Sequence, residues 1–378
     1  MEDIVAKRRK FALPYNGTNP QWFVDKTVGY STNIDHVFCE LPFEEMLSHT
    51  RYQFNGVNAE NLNFCADNQK RYEYMTNCIH FLRLSEGKFK RICPVNAAYY
   101  KFANEADMIN FAVRICQVVC DFKVDGLIIT DYRLGLLLRQ LMPDLELHTS
   151  CNSYQWMTKQ MEIWKDKVGI TLFNPPREIL RFPSKLKEMH DAGFKLKCII
   201  NESCLVGCPN SSNHQMSVAM KCYFGGNCIQ NGIGDIFKAN WVLPRWLKYY
   251  DKFVDVYKIA GRNSEGEYPF RVLDVYLQER DDIVLTDIMT SGTAGAAKIL
   301  LPPEVLKNIT FDKVPDKLMY CECNHCDICG LCEKTLKRLI PSSYYPSFEK
   351  QKEQQKLVIR NLEEFRKERF KGVGVVSR

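Results

Sequence analysis

Thiols are the most conspicuous source of chemistry in this chain, and they fall in two runs. The first, NESCLVGCPNSSNHQ, sets Cys204 and Cys208 four residues apart and is followed by Cys222 and Cys228. Four thiolates from one loop can ligate a [4Fe–4S] cluster, because soft sulfur stabilises iron and the loop wraps it. A radical-SAM arrangement would need a cysteine three residues past Cys208, where Ser211 stands. Zinc held by the same four thiolates, or buried inert thiols, are the alternatives. The second run, CECNHCDICGLCE, packs Cys321, Cys323, Cys326, Cys329 and Cys332 too closely for an unstrained set of disulfides. Its C-x2-C-x2-C spacing imitates the start of a bacterial ferredoxin motif, yet C-x2-C pairs are also zinc knuckles. A second iron–sulfur cluster and zinc both remain open there.

The rest of the chain must position these groups. At 378 residues it can bury roughly three-quarters of its unfolded surface, so it needs no disulfides to fold. No apolar run approaches the roughly 18 residues of a membrane span, and the start, MEDIVAKRRKFALPYNG, lacks an apolar signal core. A soluble cytoplasmic protein with reduced thiols is the expectation, with no membrane partner. Hydrophobic residues at 46% and charged residues at 25% exclude disordered, collagenous and coiled-coil classes. The net charge of +6 is uneven: from Lys334 onward twelve Lys/Arg face five Asp/Glu, while the remainder is close to neutral. Such a basic tail suits an anionic partner such as RNA, or a protein partner, although a solvated helix face gives the same pattern.

Short apolar runs at 10–14, 34–39, 89–94, 126–130, 145–149, 169–173, 196–200 and 253–259 alternate with helical stretches at 71–84, 105–120, 134–141, 153–165 and 184–192. Eight strands with helix-length spacers predict an α/β fold, a TIM-like (β/α)8 barrel, with an open doubly wound sheet as the competitor. The barrel would span 1–285, a Cys-rich metal-binding module 286–340, and a basic amphipathic helical tail 341–378. Polar residues stand just after the runs: Asn16, Glu40, Asn96, Asp131, His148 with Ser150, Arg177–Glu178, Asn201–Glu202 with Cys204, and Lys258 with Arg262. In a barrel these converge on the C-terminal mouth. Other chemistries lack their motifs. SGTAGAAK (291–298) is no phosphate loop, NGIGDIF lacks the third glycine of a dinucleotide site, and neither G-x-S-x-G nor H-E-x-x-H occurs.

Three segments in order resemble the collagenase-like peptidase family U32: VDGLIITDYRLGLLLRQLMPDLELHTSCNS (124–153), GITLFNPPREI (169–179) and VDVYKIAGRNSEGEY (254–268). The last is similar to the family's K-I-E-G-R motif at Lys258, Ile259, Gly261 and Arg262, and Tyr276 follows where members often carry a Tyr-containing helix. The resemblance implies a TIM-like barrel with a [4Fe–4S] cluster on four cysteines. Members carry a peptidase label, yet several resemble oxygen-independent hydroxylases of an RNA base or a quinone precursor, with prephenate as hydroxyl source in the RNA group. This chain departs from the pattern by its x3 cysteine spacing, by Ala260 in place of the motif's Glu, and by the cluster at 321–332.

The leading expectation is an iron–sulfur hydroxylase acting on tRNA or rRNA. Arg177, Lys258 and Arg262, with His214, would bind a carboxylate or phosphate, and a small carboxylate co-substrate follows. Asp131, His148, Glu178 and Glu202 are the acid–base candidates. A peptidase, and a non-catalytic electron-transfer or scaffold subunit, are the rival expectations.

Overall fold

The computed structural model describes residues 8–42, 68–100, 102–208, 210–219, 233–262, 264–290, 293–321 and 326–344. Seven strands come first, β1 (Phe11–Pro14), β2 (Ile34–Phe38), β3 (Lys90–Val95), β4 (Gly126–Ile129), β5 (Glu146–Thr149), β6 (Ile170–Leu172) and β7 (Lys197–Ile199). The chain then leaves the sheet in an antiparallel ribbon, β8 (Asn201–Leu205) with β9 (Ala239–Trp241), and returns as β10 (Val256–Lys258). The eight-stranded sheet runs β6-β5-β4-β3-β2-β1-β10-β7, all parallel. A parallel bridge between Phe173 and Leu196 joins its two ends, so the expected barrel is what forms.

Every expected strand run but one contains the observed strand, β3 extending one residue past its run to Val95, and helices Asn68–Leu84, Glu105–Asp121, Tyr132–Leu141, Thr158–Val168 and Pro183–Asp191 fill the spacers. One helix starts later than the periodicity suggests, at Thr158 rather than Ser153. There Ser150 caps a short 3-10 turn, Cys151–Ser153, and Tyr154 follows at φ 49°, which a helix cannot continue.

Alternation along each strand divides the core in two. One side chain in two faces the surrounding helices, as with Leu13, Val37, Val95, Leu127, Ile129, Leu147 and Tyr257. The other row fills the barrel: Ala12, Phe38, Ile92, Ile128, Leu172 and Val256 form a separate buried cluster. Gly126 opens β4, where a Cβ would stand 2.5 Å from the Glu146 carbonyl and 2.9 Å from Ile92, so only glycine fits.

Beyond residue 285 the chain packs on the outside of this barrel. Leu285, Ile288, Val305, Ile309, Phe311, Leu318, Cys332 and Leu336 belong to the same apolar cluster as the barrel's outer face. Arg245 fastens the segment by an ion pair to Asp316 at 2.8 Å and by donating to the Phe311 and Val314 carbonyls. Arg181 does so from beneath, stacked 4.8 Å from the Trp241 ring and donating to the Leu318 and Ala239 carbonyls. The basic tail expected over 341–378 lies outside the described residues from 345 onward. Among the described residues no helix is long and apolar enough to cross a membrane.

Candidate functional site

The inward row continues past the last rung of each strand, and there its residues become polar. Asn16, Glu40, Asn96, Thr130, Ser150, Asn174 and Asn201 carry the alternation of β1 to β7 onto the C-terminal rim, with Lys258 ending β10. Glu40, Asn96, Asn174 and Lys258 are buried. The barrel mouth is therefore a polar layer set on an apolar plug.

A guanidinium organises one side of it. Arg177 follows β6 and is buried; Nη2 donates to Asn152 Oδ1 at 2.7 Å and to Cys151 Sγ at 3.6 Å, and Nη1 donates to Cys204 Sγ at 3.7 Å. Its Nε lies 4.0 Å from Glu202 Oε2, while the Cys204 thiol donates to Glu202 Oε1 at 3.6 Å. Burial works to lower the Arg177 pKa, but Cys151, Cys204 and Glu202 hold it well above its ordinary value. Such a cation, paired with two sulfurs and a carboxylate, is suited to hold thiolate charge at the mouth.

Two further cations complete the mouth. Lys258 lies over the Phe38 ring at 4.6 Å, and burial lowers its pKa to about 8. Arg262 forms an ion pair with the buried Glu40 carboxylate; burial nonetheless leaves Glu40 with a raised pKa. Gly261 makes that reach possible: its φ is 129°, and a Cβ would strike the Tyr268 ring at 2.5 Å.

The remaining expected residues take other places. Glu178, beside Arg177, is half-buried with its pKa raised by burial. Asp131 caps helix Tyr132–Leu141, accepting from the Arg133 and Leu134 amides at 2.9 and 3.2 Å, and pairs with exposed Arg133. His214 is half-buried on helix Ser211–Ala219. His148 was expected at the rim, but it lies fully buried inside the barrel, because strand parity places it one inward position before Ser150. There it bonds Glu146 at 2.7 Å and the Lys197 amine at 3.0 Å, and that amine also meets His36 at 3.3 Å. Lys90 and Asp35 end this chain of groups, pairing with Glu146 and His36. Burial, then Lys197, pushes both imidazole pKa values well below the ordinary range; burial and the Lys258 charge do the same to Lys197.

Of the cysteines, Cys204 and Cys208 are half-buried on the excursion that begins with β8. Cys222 and Cys228 lie outside the described residues, as does Cys323. Cys321 is half-buried, Cys329 exposed and Cys332 buried, while Cys326 opens the short helix Cys326–Cys329. Among the described residues no three or more His, Cys, Asp or Glu side chains gather as a metal site. The donor chemistry of Cys204 still fits a thiolate-held group, since it is reduced, near the mouth and bonded to a guanidinium.

The sequence profile of peptidase family U32 matches residues 53–204, the stretch from before β3 to β8. Over those residues the chain is similar to peptidase family U32. The chain is 29% identical over 209 residues to a Methanocaldococcus jannaschii protein described as an uncharacterized protease. The match covers 51% of the chain and 61% of that relative's length. Two solved structures are similar at 9% identity: a U32 peptidase, with TM-score 0.45 over 69% of this chain and 96% of that one, and an Escherichia coli homocysteine methyltransferase, with TM-score 0.30 over 58% and 90%.

Three contributors to these polar groups carry no signal of their own in the sequence. Cys151 lies in the quoted segment HTSCNS, but outside either cysteine run. His36 and Lys197 sit in apolar strands, where a lone basic residue carries no motif.

Proposed function

We propose that this chain is an iron–sulfur enzyme of the oxygen-independent hydroxylase type, acting on an RNA base at the barrel mouth. The observation that carries the reading is the buried Arg177 guanidinium bonded to both Cys151 and Cys204. Cys204, with Cys208, Cys222 and Cys228, would hold a [4Fe–4S] cluster, and when bound that group supplies one-electron chemistry. The chain's own residues do the rest. Arg177 keeps sulfur and carboxylate charge at the rim, and Lys258, with its pKa of about 8, can hold or release a proton near neutral pH. Lys258 and Arg262 offer cationic contacts for a carboxylate co-substrate, while the basic tail would contact the phosphate backbone. The test is anaerobic incubation with total RNA and cell extract, followed by mass spectrometry of the nucleosides. A nucleoside gaining one oxygen supports the reading; none gaining oxygen in any supplemented extract contradicts it.

The peptidase reading has its own support in the name of the archaeal relative and in the bond from the Cys204 thiol to Glu202. Yet the two histidines built into the barrel, His36 and His148, are sealed in its interior, away from Cys204 as a nucleophile's base. Release of fragments from casein, abolished by Cys204→Ser, would favour this second reading over the first.

A further inference from the structure

One arc of the mouth is built from buried polar atoms that bond to nothing among the described residues. Along β2, β3, β4 and β6 the inward rim positions are Glu40, Asn96, Thr130 and Asn174. Glu40 Oε2, Asn96 Oδ1, Thr130 Oγ1 and both amide atoms of Asn174 are buried without a hydrogen-bond partner among the described residues. The opposite arc differs. Asn16 donates to the Ser264 and Gly266 carbonyls, and Asn201 bonds Ala260, Tyr268 and Ile288. A buried polar atom left unsatisfied costs about 1–3 kcal/mol, so several on one rim are a feature to be explained by what binds there.

The chemistry of the arc narrows the ligand. Of the stranded atoms, four oxygens can accept, whereas the Asn174 amide nitrogen and the Thr130 hydroxyl can donate. An anionic group would therefore be poorly matched on this side, the more so because Glu40 already spends Oε1 on Arg262. The complement is a neutral planar group presenting N–H donors beside a carbonyl or ring-nitrogen acceptor. A side-chain amide meets such an edge in two-point fashion, as asparagine meets a nucleobase. We propose that Glu40, Asn96, Thr130 and Asn174 form the subsite that reads the hydrogen-bonding edge of a nucleobase, leaving the Arg177–Lys258 side for the anionic part of the reaction. This rests on the reading above that the substrate is an RNA base, and it names the residues that select the base. A site built to hydrogen-bond a group rejects analogues lacking it, because its own buried atoms are then stranded.

Binding of adenosine, guanosine, cytidine and uridine to the full chain, measured by saturation-transfer NMR with ribose as control, tests the subsite. Nucleosides are expected to bind with a clear preference among the four bases, and ribose is not. Asn174→Ala and Asn96→Ala should each weaken the preferred nucleoside about ten-fold, one unmade hydrogen bond in a buried site. Both variants should keep the wild-type melting temperature or exceed it, because each removes a stranded group. Thr130→Val, which keeps the side-chain shape, serves as a third variant should either asparagine variant fail to fold. The subsite is overturned if no nucleoside binds at millimolar concentration, if ribose binds equally well, or if the folded variants bind unchanged. Base-selective binding lost in the variants, with no oxygen added to RNA, would retain the subsite and reject the hydroxylase reading. Oxygen added to RNA by variants with unaltered base binding would do the reverse.

Discussion

Arg177 Nη1 donates to Cys204 Sγ at 3.7 Å, and the neighbouring Nη2 reaches Cys151 at 3.6 Å, so one guanidinium joins the ends of β5 and β6 to the ribbon that leaves β7. The bonds tie a thiol of the first cysteine run to a barrel whose strands carry no other cysteine of that run. A planar fork holds both contacts from separate nitrogens in fixed geometry, whereas an ammonium presents its donors from one point.

Arg177→Met should accordingly strand Glu202 and loosen β8. Removing one partner of a buried charge pair costs about 3–5 kcal/mol, so the urea midpoint is expected to fall markedly, with bound metal lost in parallel. Arg177→Lys should recover part of the stability but not the metal. Equal metal content in all three proteins would show that the guanidinium has no part in holding the thiols.

Lys258 makes a pH prediction. Its folded pKa of about 8 lies below the 10.5 of an exposed lysine, with burial the main cause. Between those values the unfolded chain binds the extra proton, so this residue's contribution to stability rises with pH across that window. Below pH 8 both states are protonated and the folded state bears the whole cost, about 3 kcal/mol at most. Lys258→Met should therefore be more stable than wild type at pH 7, and the gap should close towards pH 10.5. Urea denaturation of both proteins across that range reads it directly.

The barrel interior predicts a dependence of the same sign in a more acidic window. His36 and His148 have folded pKa values well below 6.5 because of burial and the Lys197 amine. As pH falls through 6.5 the unfolded chain takes up protons that the folded barrel refuses, and stability is lost at about 1.4 kcal/mol per pH unit for each histidine. His36→Asn should remove roughly half of that slope between pH 6.5 and 5, measured by urea denaturation. The His36 and His148 imidazole signals of the folded wild type should not shift over the same range in NMR.

Asp131 separates a cap from a catalyst. Asp131→Ala should cost about 1 kcal/mol, the usual value of an N-cap, while Asp131→Asn, which also caps, should keep both stability and turnover. Loss of turnover in a stable Asp131→Asn protein would give the carboxylate a chemical role.

Much of the barrel was legible because its signal is local. Runs such as GLII and ELHT, each followed by a polar residue and a helical period, mark a strand and its C-terminal end without knowledge of neighbours. Places around the barrel axis were less legible, since they depend on parity summed over eight strands. His148 and Ser150 looked equivalent in sequence, yet one lies inside the barrel and the other on the rim. Asn96 and Asn174 carried no motif, and only the closed ring shows that their amides share an arc. Cys151 reads as an isolated thiol until Arg177, twenty-six positions later, folds onto it. The resemblance to U32 segments found the Arg177–Glu178 and Lys258–Arg262 steps because those are contiguous.

Bound metal is the most direct test of the proposed iron–sulfur site. Iron, acid-labile sulfide and zinc should be measured on the full chain purified without oxygen, beside Cys204→Ser. A [4Fe–4S] centre on the first run predicts about four iron and four sulfide per chain, lost in the variant while any zinc on the second run stays. Zinc alone in the wild type, or iron and sulfide unchanged by Cys204→Ser, would contradict it.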